Sequence, residues 1–367
     1  MNKTYKTIDL FSGLGGIRKG YEMTGRFKNV LSADIDKYAC QVYKHLYNED
    51  SQNDVTSEEF KFKVENTEYD IVLGGFPCQA FSIAGGKKGF TDETRGTLFF
   101  DIADIIRRTN PKAFMLENVE GLLKHEKGQT FSIIVKTLDE LGYKVVGTDI
   151  VNGEVTVDSK KIVRTTKDFG IPQKRSRVFI MGFRKEIIPN DYIFPNYPTE
   201  AKNKIYKNLY DLLEKNVEPK YYLSETLLNT LKKHKNSHSK VKSGFGYIVV
   251  NEGENPVSNT IMATGGSGKE RNLIRQHNPE YDGLIVGKKN PINKEGIRNM
   301  TPTEWGKLQG FINFAFKDKK GTDNFSFPEG ISDTQQYKLF GNSVSIPVIH
   351  ELAKYMIERL DDFYGNE

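Results

Sequence analysis

Ile71-Val72-Leu73-Gly74-Gly75-Phe76-Pro77-Cys78-Gln79 is an apolar run that empties into two glycines, a proline and a thiol. A strand of a parallel sheet has both faces covered, which suits Ile71, Val72 and Leu73. Gly74 and Gly75 end the strand and admit another group close to the backbone, and Pro77 fixes the chain just before Cys78. In open α/β sheets ligands bind at the carboxyl ends of strands, where this arrangement puts the thiol. Two readings of Cys78 stand at this point, a small buried hydrophobe or a nucleophile.

Outward from this stretch, strand-like and helix-like segments alternate. Thr7-Ile8-Asp9-Leu10 reads as a strand, followed by the glycine loop Ser12-Gly13-Leu14-Gly15-Gly16 and a helix from near Ile17. Val30 to Ala33 is a second strand ending at Asp34, and a helix carrying Tyr38, Val42, Tyr43 and Leu46 follows. Leu98 to Ile106 reads as an amphipathic helix, Ala113 to Leu116 as a strand ending at Glu117-Asn118, and Phe131 to Leu141 as a helix. Strands are predicted again over Lys144 to Thr148 and Arg177 to Phe183. Such repeated units predict an α/β fold with a doubly wound, mostly parallel sheet.

From about Arg184 prolines, asparagines and lysines dominate. One helix stands out, with Ser224 as N-cap and Leu227, Leu228 and Leu231 on one face. Short strands are predicted over Gly246 to Val250 and Thr260 to Thr264, giving a smaller, irregular, β-rich domain. Pro347 opens a last helix whose face carries Ile349, Ala353, Met356, Ile357 and Leu360. The expected division is a first domain over 1–187, a second over 188–296, and a segment over 297–367 that returns to complete the first.

A chain of 367 residues implies roughly two domains. No apolar stretch approaches the roughly 20 residues that cross a bilayer, and the N-terminus lacks the apolar core of a signal peptide. With two cysteines, Cys40 and Cys78, there is neither a disulfide framework nor a zinc cluster, so no metal is expected. A cytoplasmic location follows as the default. The net charge of +5 is too small to establish a polyanionic partner. Lysines interleaved with tyrosines between Ala201 and Lys242 suit a nucleic-acid surface, but taken alone the stretch reads first as a solvated helical face.

Four constellations carry chemistry. The loop Asp9-Leu10-Phe11-Ser12-Gly13-Leu14-Gly15-Gly16, with Asp34 ending the next strand, has the layout of a nucleotide-like cofactor site but lacks the G-x-G-x-x-G spacing of a dinucleotide fold. Glu117 at a strand's carboxyl end beside a thiol could act as a general acid. Gln173, Arg175 and Arg177 would share one face of a strand, two guanidiniums suited to a phosphate or a base carbonyl. Gly341-Asn342-Ser343-Val344 precedes the last helix.

In this order the segments resemble the DNA (cytosine-5) methyltransferases of restriction–modification systems. The glycine loop resembles the family's first motif, and Gly75-Phe76-Pro77-Cys78-Gln79-Ala80-Phe81-Ser82 its catalytic motif. Glu117-Asn118-Val119, Gln173-Lys174-Arg175-Ser176-Arg177, Arg298-Asn299-Met300-Thr301-Pro302-Thr303-Glu304 and Gly341-Asn342-Ser343-Val344 are similar to the remaining landmarks. The likeness spans nearly the whole chain. It implies a Rossmann-like catalytic domain, a target-recognition domain, and methyl transfer from S-adenosylmethionine to carbon 5 of a flipped cytosine.

The resemblance also implies roles. Cys78 would be the nucleophile, Glu117 the partner of the base, and Arg175 with Arg177 the holders of its carbonyl. Phe11, Gly13, Gly15, Asp34, Asp54, Val55, Pro77, Leu98, Asn342 and Val344 would bind the methyl donor. Asp34 stands where many members carry glutamate. Gln79, Ser82, Lys87, Lys88, Thr260, Gly265 and Gly266 would face DNA. The implied partners are double-stranded DNA and a cognate restriction endonuclease, with a monomeric enzyme and no membrane. A tRNA cytosine-5 methyltransferase is the alternative within the same chemistry; a silent DNA-binding relative and a nicotinamide dehydrogenase are rivals from other classes.

Overall fold

The computed structural model describes residues 3–77, 98–238, 247–263, 269–285 and 290–365. The chain divides into two compact units. The first comprises Met1–Thr165, Ser176–Ala201 and Ile346–Glu367, the second Thr166–Arg175 and Lys202–Ser345.

In the first unit, strands β1 (Tyr5–Leu10), β2 (Phe27–Ala33), β3 (Ile71–Gly75) and β4 (Ala113–Val119) pair in parallel in the order β2-β1-β3-β4. The strand Ser176–Arg184 adds antiparallel to β4 and in turn pairs with Tyr143–Val145 and Val163–Thr165. Ile8, Leu10, Ile71, Val72, Leu73, Phe114, Met115 and Leu116 are fully buried, as central strands covered on both faces require. The region Lys144 to Thr148, read as one strand, instead splits: the strand stops at Val145, and Thr148–Val151 opens a hairpin with Glu154–Val157. Gly147 at φ 75° makes that break.

The connections are helical: α1 (Gly16–Glu22), α2 (Lys37–Tyr47), α3 (Glu58–Glu65), α4 (Leu98–Thr109) and α5 (Gln129–Glu140). Asp36 caps α2 by accepting from the amides of Tyr38 and Ala39, and Ser57 caps α3 through the amide of Phe60. The chain leaves β1 toward β2 on one side and β3 toward β4 on the other. The carboxyl ends of β1 and β3 therefore flank the point where strand order reverses, the usual crevice of such sheets. The last helix, Ile346–Tyr364, buries Ile349, Ala353, Met356 and Leu360 within the same unit.

The second unit holds short two-stranded pairings and the helix Glu225–His238. Leu228 and Leu231 face its core beside Leu223, Leu273 and Ile297. Leu227, predicted on that face, is exposed, because it lies a third of a turn from Leu228. Arg298 and Glu304 form a fully buried bidentate pair, with Nη1–Oε2 at 2.9 Å and Nη2–Oε1 at 2.7 Å. Glu304 also accepts from the Thr301 amide while the Thr301 hydroxyl accepts from the Glu304 amide, a capping box ahead of Pro302.

The unit boundaries differ from the division at 187 and 296 for visible reasons. Arg164 donates to the carbonyls of Tyr197 and Pro198, at 2.7 and 2.6 Å, and Tyr197 packs edge-on against Tyr355, which ties 188–201 to the first unit. Arg298 donates to Gln276 and Glu304, which ties residues 297–345 to the second, and only 346–367 return to the first.

Candidate active site

β1 delivers the glycine loop. Phe11, Gly13 and Gly15 all take left-handed backbone angles, φ 56°, 53° and 71°. A phenylalanine in that region is strained, and such strain collects at ligand sites. A Cβ on Gly13 would meet nothing within 4 Å, so this edge of the loop faces open space. At Gly15 a Cβ would fall 2.7 Å from the Tyr47 hydroxyl oxygen, which donates to the Gly15 carbonyl at 2.9 Å.

Asp34, just past β2, is fixed by the amides of Gly13 and Asp36, each 2.8 Å from its carboxylate. Burial pushes its pKa up, opposed by these amide contacts. The chain at Ser51–Asn53 runs alongside: the Asp34 amide donates to the Ser51 carbonyl at 2.8 Å, and Asn53 Nδ2 donates to the Ser32 carbonyl at 2.8 Å. This brings buried Val55 and exposed Asp54, whose carboxylate accepts from the amide and hydroxyl of Thr56, toward the same strand end. Ile35 between Asp34 and Asp36 is 76% exposed and offers an apolar face there. It was not among the residues expected from sequence, and its only signal was an aliphatic residue between two aspartates at a strand end.

The donor set suits S-adenosylmethionine. The carboxylate oxygens of Asp9 and the hydroxyl of Ser12 are buried with no hydrogen-bond partner among the described residues, beneath and within the glycine loop. Burial raises the Asp9 carboxyl well above the ordinary carboxylate range, with Arg18 opposing. A loop open at Gly13, an anchored carboxylate and an exposed aliphatic surface fit a nucleoside with a charged tail.

β3 and β4 deliver the second half of the site. Gly75 stands opposite Glu117 in the parallel register, and a Cβ at Gly75 would lie 3.5 Å from Glu117 Oε2. Glu117 is 9% exposed, and its Oε1 lies 2.9 Å from Arg177 Nε on the neighbouring antiparallel strand. Asn118 Nδ2 donates to the Phe76 carbonyl at 2.8 Å, tying the end of β4 to the segment that enters Pro77. Pro77 is exposed and Leu98 half-buried at the start of α4. Cys78, Gln79, Ser82, Lys87, Lys88, Gly265 and Gly266 lie outside the described residues.

Gln173, Arg175 and Arg177 do not share a strand face as predicted. The strand breaks at Arg175: Gln173–Lys174 pairs in parallel with Ser258–Asn259 in the second unit, whereas Ser176 onward pairs within the first. Arg177 meets Glu117. Arg175 is 3% exposed and donates to three backbone carbonyls, those of Ile261 at 3.1 Å, Gly341 at 3.3 Å and Ser343 at 2.5 Å. Asn342 is exposed, Val344 buried, and the Thr260 hydroxyl donates to the Lys174 carbonyl at 2.6 Å, all in the second unit.

The profile of the C-5 cytosine-specific DNA methylase family matches residues 5–358. The chain is 40% identical over 365 residues to the type II methyltransferase M.HpaII of Haemophilus parainfluenzae, covering 99% of this chain and 92% of that protein. It is 41% identical over 360 residues to the type II methyltransferase M.SsoII of Shigella sonnei, covering 98% and 82%. Among solved structures, the Entamoeba histolytica methyltransferase EhMeth aligns with a TM-score of 0.64 at 22% identity over 98% of this chain and 99% of its own. The fold is thus that of a Rossmann-like methyltransferase. No helix among the described residues is long and apolar enough to cross a membrane.

Proposed function

Since the chain belongs to the C-5 cytosine-specific DNA methylase family, and so transfers a methyl group to carbon 5 of cytosine in DNA, we propose how its own residues divide that work. The observation that carries the proposal is the Glu117–Arg177 pair, closed at 2.9 Å opposite Gly75, the residue that precedes Phe76-Pro77-Cys78 in sequence.

Carbon 5 of cytosine is too weak a nucleophile to take a methyl group unaided, and covalent catalysis removes that difficulty. The Cys78 thiolate adds to carbon 6, forming a C–S bond and moving the ring's π electrons toward carbon 5 and the N3–carbonyl side. Glu117, as the acid, protonates or donates a hydrogen bond to ring nitrogen 3, and Arg177 stabilises the charge that builds at the carbonyl. When bound, S-adenosylmethionine supplies a methyl group carried on a sulfonium, which the activated carbon 5 accepts. Loss of the carbon-5 proton to a base then restores the ring, and the C–S bond breaks with its electrons returning to Cys78.

Phe11, Gly13, Gly15, Asp34, Asp54, Val55, Pro77, Leu98, Asn342 and Val344 would hold the donor, with Asp34 on the ribose and Ile35 joining as an apolar surface for the purine. Flipping the cytosine costs a few kcal/mol, which phosphate and recognition contacts must offset. Lys87 and Lys88 would contribute phosphate contacts, and Gln79, Ser82, Thr260, Gly265 and Gly266 would lie toward the target. The second unit would read the sequence. A monomer working beside a cognate endonuclease, protecting cytoplasmic DNA, completes the proposal. The type II relatives favour DNA over tRNA.

Expression in a methylation-free host followed by genome-wide mapping of 5-methylcytosine tests this. One short motif modified throughout, lost entirely in Cys78→Ala, is the expected result. Label entering tRNA alone, or full methylation by Cys78→Ala, would overturn it.

A further inference from the structure

Three segments far apart in sequence meet on one side chain in the second unit. Ser258–Asn259 pairs in parallel with Gln173–Lys174, and the next two residues are held by side chains rather than by the ladder. Gln173 Oε1 accepts from the Ile261 amide at 3.1 Å, and Arg175 Nη1 donates to the Ile261 carbonyl at 3.1 Å. The other side of the same guanidinium donates to the carbonyls of Gly341 and Ser343. Gln309 Nε2 supports that turn from behind, donating to Phe340 at 2.9 Å and Ser343 at 3.1 Å.

The two segments also touch directly. A Cβ on Gly341 would fall 2.7 Å from the Ala263 amide nitrogen and overlap the Met262 carbonyl, so only glycine lets the backbones close. A planar fork with several fixed donors bridges carbonyls on two strands of chain at once, which a single ammonium does poorly. With Gln173 fully buried and Arg175 nearly so, neither side chain is presented to a base.

We propose that Arg175 is a positioning residue that joins the recognition segment Thr260–Ala263 to the Gly341–Val344 turn, and thereby couples DNA binding to donor binding. The proposal rests on the methyltransferase reading, in which the first segment faces DNA and Asn342 and Val344 face the donor. It gives Arg175 a task separate from that of Arg177, although the two stand two residues apart.

The test measures the affinity of the protein for S-adenosylhomocysteine by calorimetry, with and without a duplex that the wild-type protein selects from a random pool. By linkage the ratio of the two affinities is the coupling, and it equals the donor product's effect on DNA affinity. We expect about tenfold coupling in the wild type, within the usual 5- to 150-fold range, a ratio near one in Arg175→Ala, and an intermediate ratio in Arg175→Lys. A merely structural arginine would lower thermal stability in both variants and leave the ratio of the folded fraction unchanged, which overturns the proposal. A wild-type ratio of one also overturns it. Where Arg175→Ala does not fold, Arg175→Lys decides by the same ratio. The measurement needs no turnover, so absence of 5-methylcytosine refutes the methyltransferase reading, whereas undiminished coupling refutes only the role of Arg175.

Discussion

If Glu117 and Arg177 act on the cytosine as one unit, their substitutions will not add. The carboxylate and guanidinium meet at 2.9 Å with side chains only 11% and 16% exposed. At an effective dielectric near 20, unit charges about 4 Å apart attract by about 4 kcal/mol. Desolvation of two mostly buried ions offsets a large part of that. A net coupling of about 2 kcal/mol remains, between the values typical of exposed and fully buried pairs, and it corresponds to roughly 30-fold in rate. Glu117→Gln and Arg177→Gln should each slow single-turnover methyl transfer by about 10²- to 10³-fold, the usual loss for a positioned acid or a charge-stabilising donor. The double variant should be roughly 30-fold faster than the product of the two single losses, because removing either partner already weakens the other's contribution. Transfer of tritiated methyl groups to the target duplex under single-turnover conditions, with thermal melts to confirm folding, measures all three. A double-variant loss equal to the product of the single losses within threefold refutes the reasoning, since the pair would then be structural or its members independent.

Asp34→Asn should raise KM for S-adenosylmethionine by about tenfold or more, the cost of a hydrogen bond to a charged group, with kcat at saturation little changed; an unchanged KM removes Asp34 from the donor site. Because burial raises the pKa of Asp34, donor binding should weaken as pH falls through that raised value, earlier than for an exposed aspartate, and titration of KM against pH follows it. His350, on the last helix with its ring nitrogen 3.2 Å from the Gly20 carbonyl, is held by burial below its ordinary 6.5. The unfolded chain therefore binds the extra proton first as pH drops below about 6.5, so stability rises with pH through that window and is flat above it. His350→Asn should flatten that slope in urea unfolding, and an identical slope in both proteins contradicts it. Glu304→Ala should destabilise the fold by about 3–5 kcal/mol by stranding the buried Arg298 charge, whereas Arg298→Met with Glu304→Leu should cost less. Urea unfolding distinguishes the two, and equal losses would show that the ion pair itself stabilises.

Much of the candidate site is written locally along the chain. The apolar run Ile71–Leu73 and the loop from Phe11 to Gly16 announce their conformations locally, since buried parallel strands need continuous apolar residues and left-handed turns favour glycine. Phe11 is the exception, a left-handed residue that no propensity flags. Ile35 is not legible for a related reason: an isoleucine fits a core, and only its 76% exposure offers it to the proposed donor.

The alternation of strands and helices in the first half, the glycine loop with its acidic partner, and the family through motifs in a fixed succession were all legible in the chain. They were so because each of these is written in residues close along the chain. Packing between distant segments is what makes Glu117 meet Arg177, turns Arg175 away to three carbonyls, and keeps residues 297–345 with the second unit while 346–367 return to the first. Those outcomes depend on which strands become neighbours and on where a strand breaks. Both are set by the packing of distant segments rather than by local periodicity, so two arginines on nominally one face could part company at a single residue.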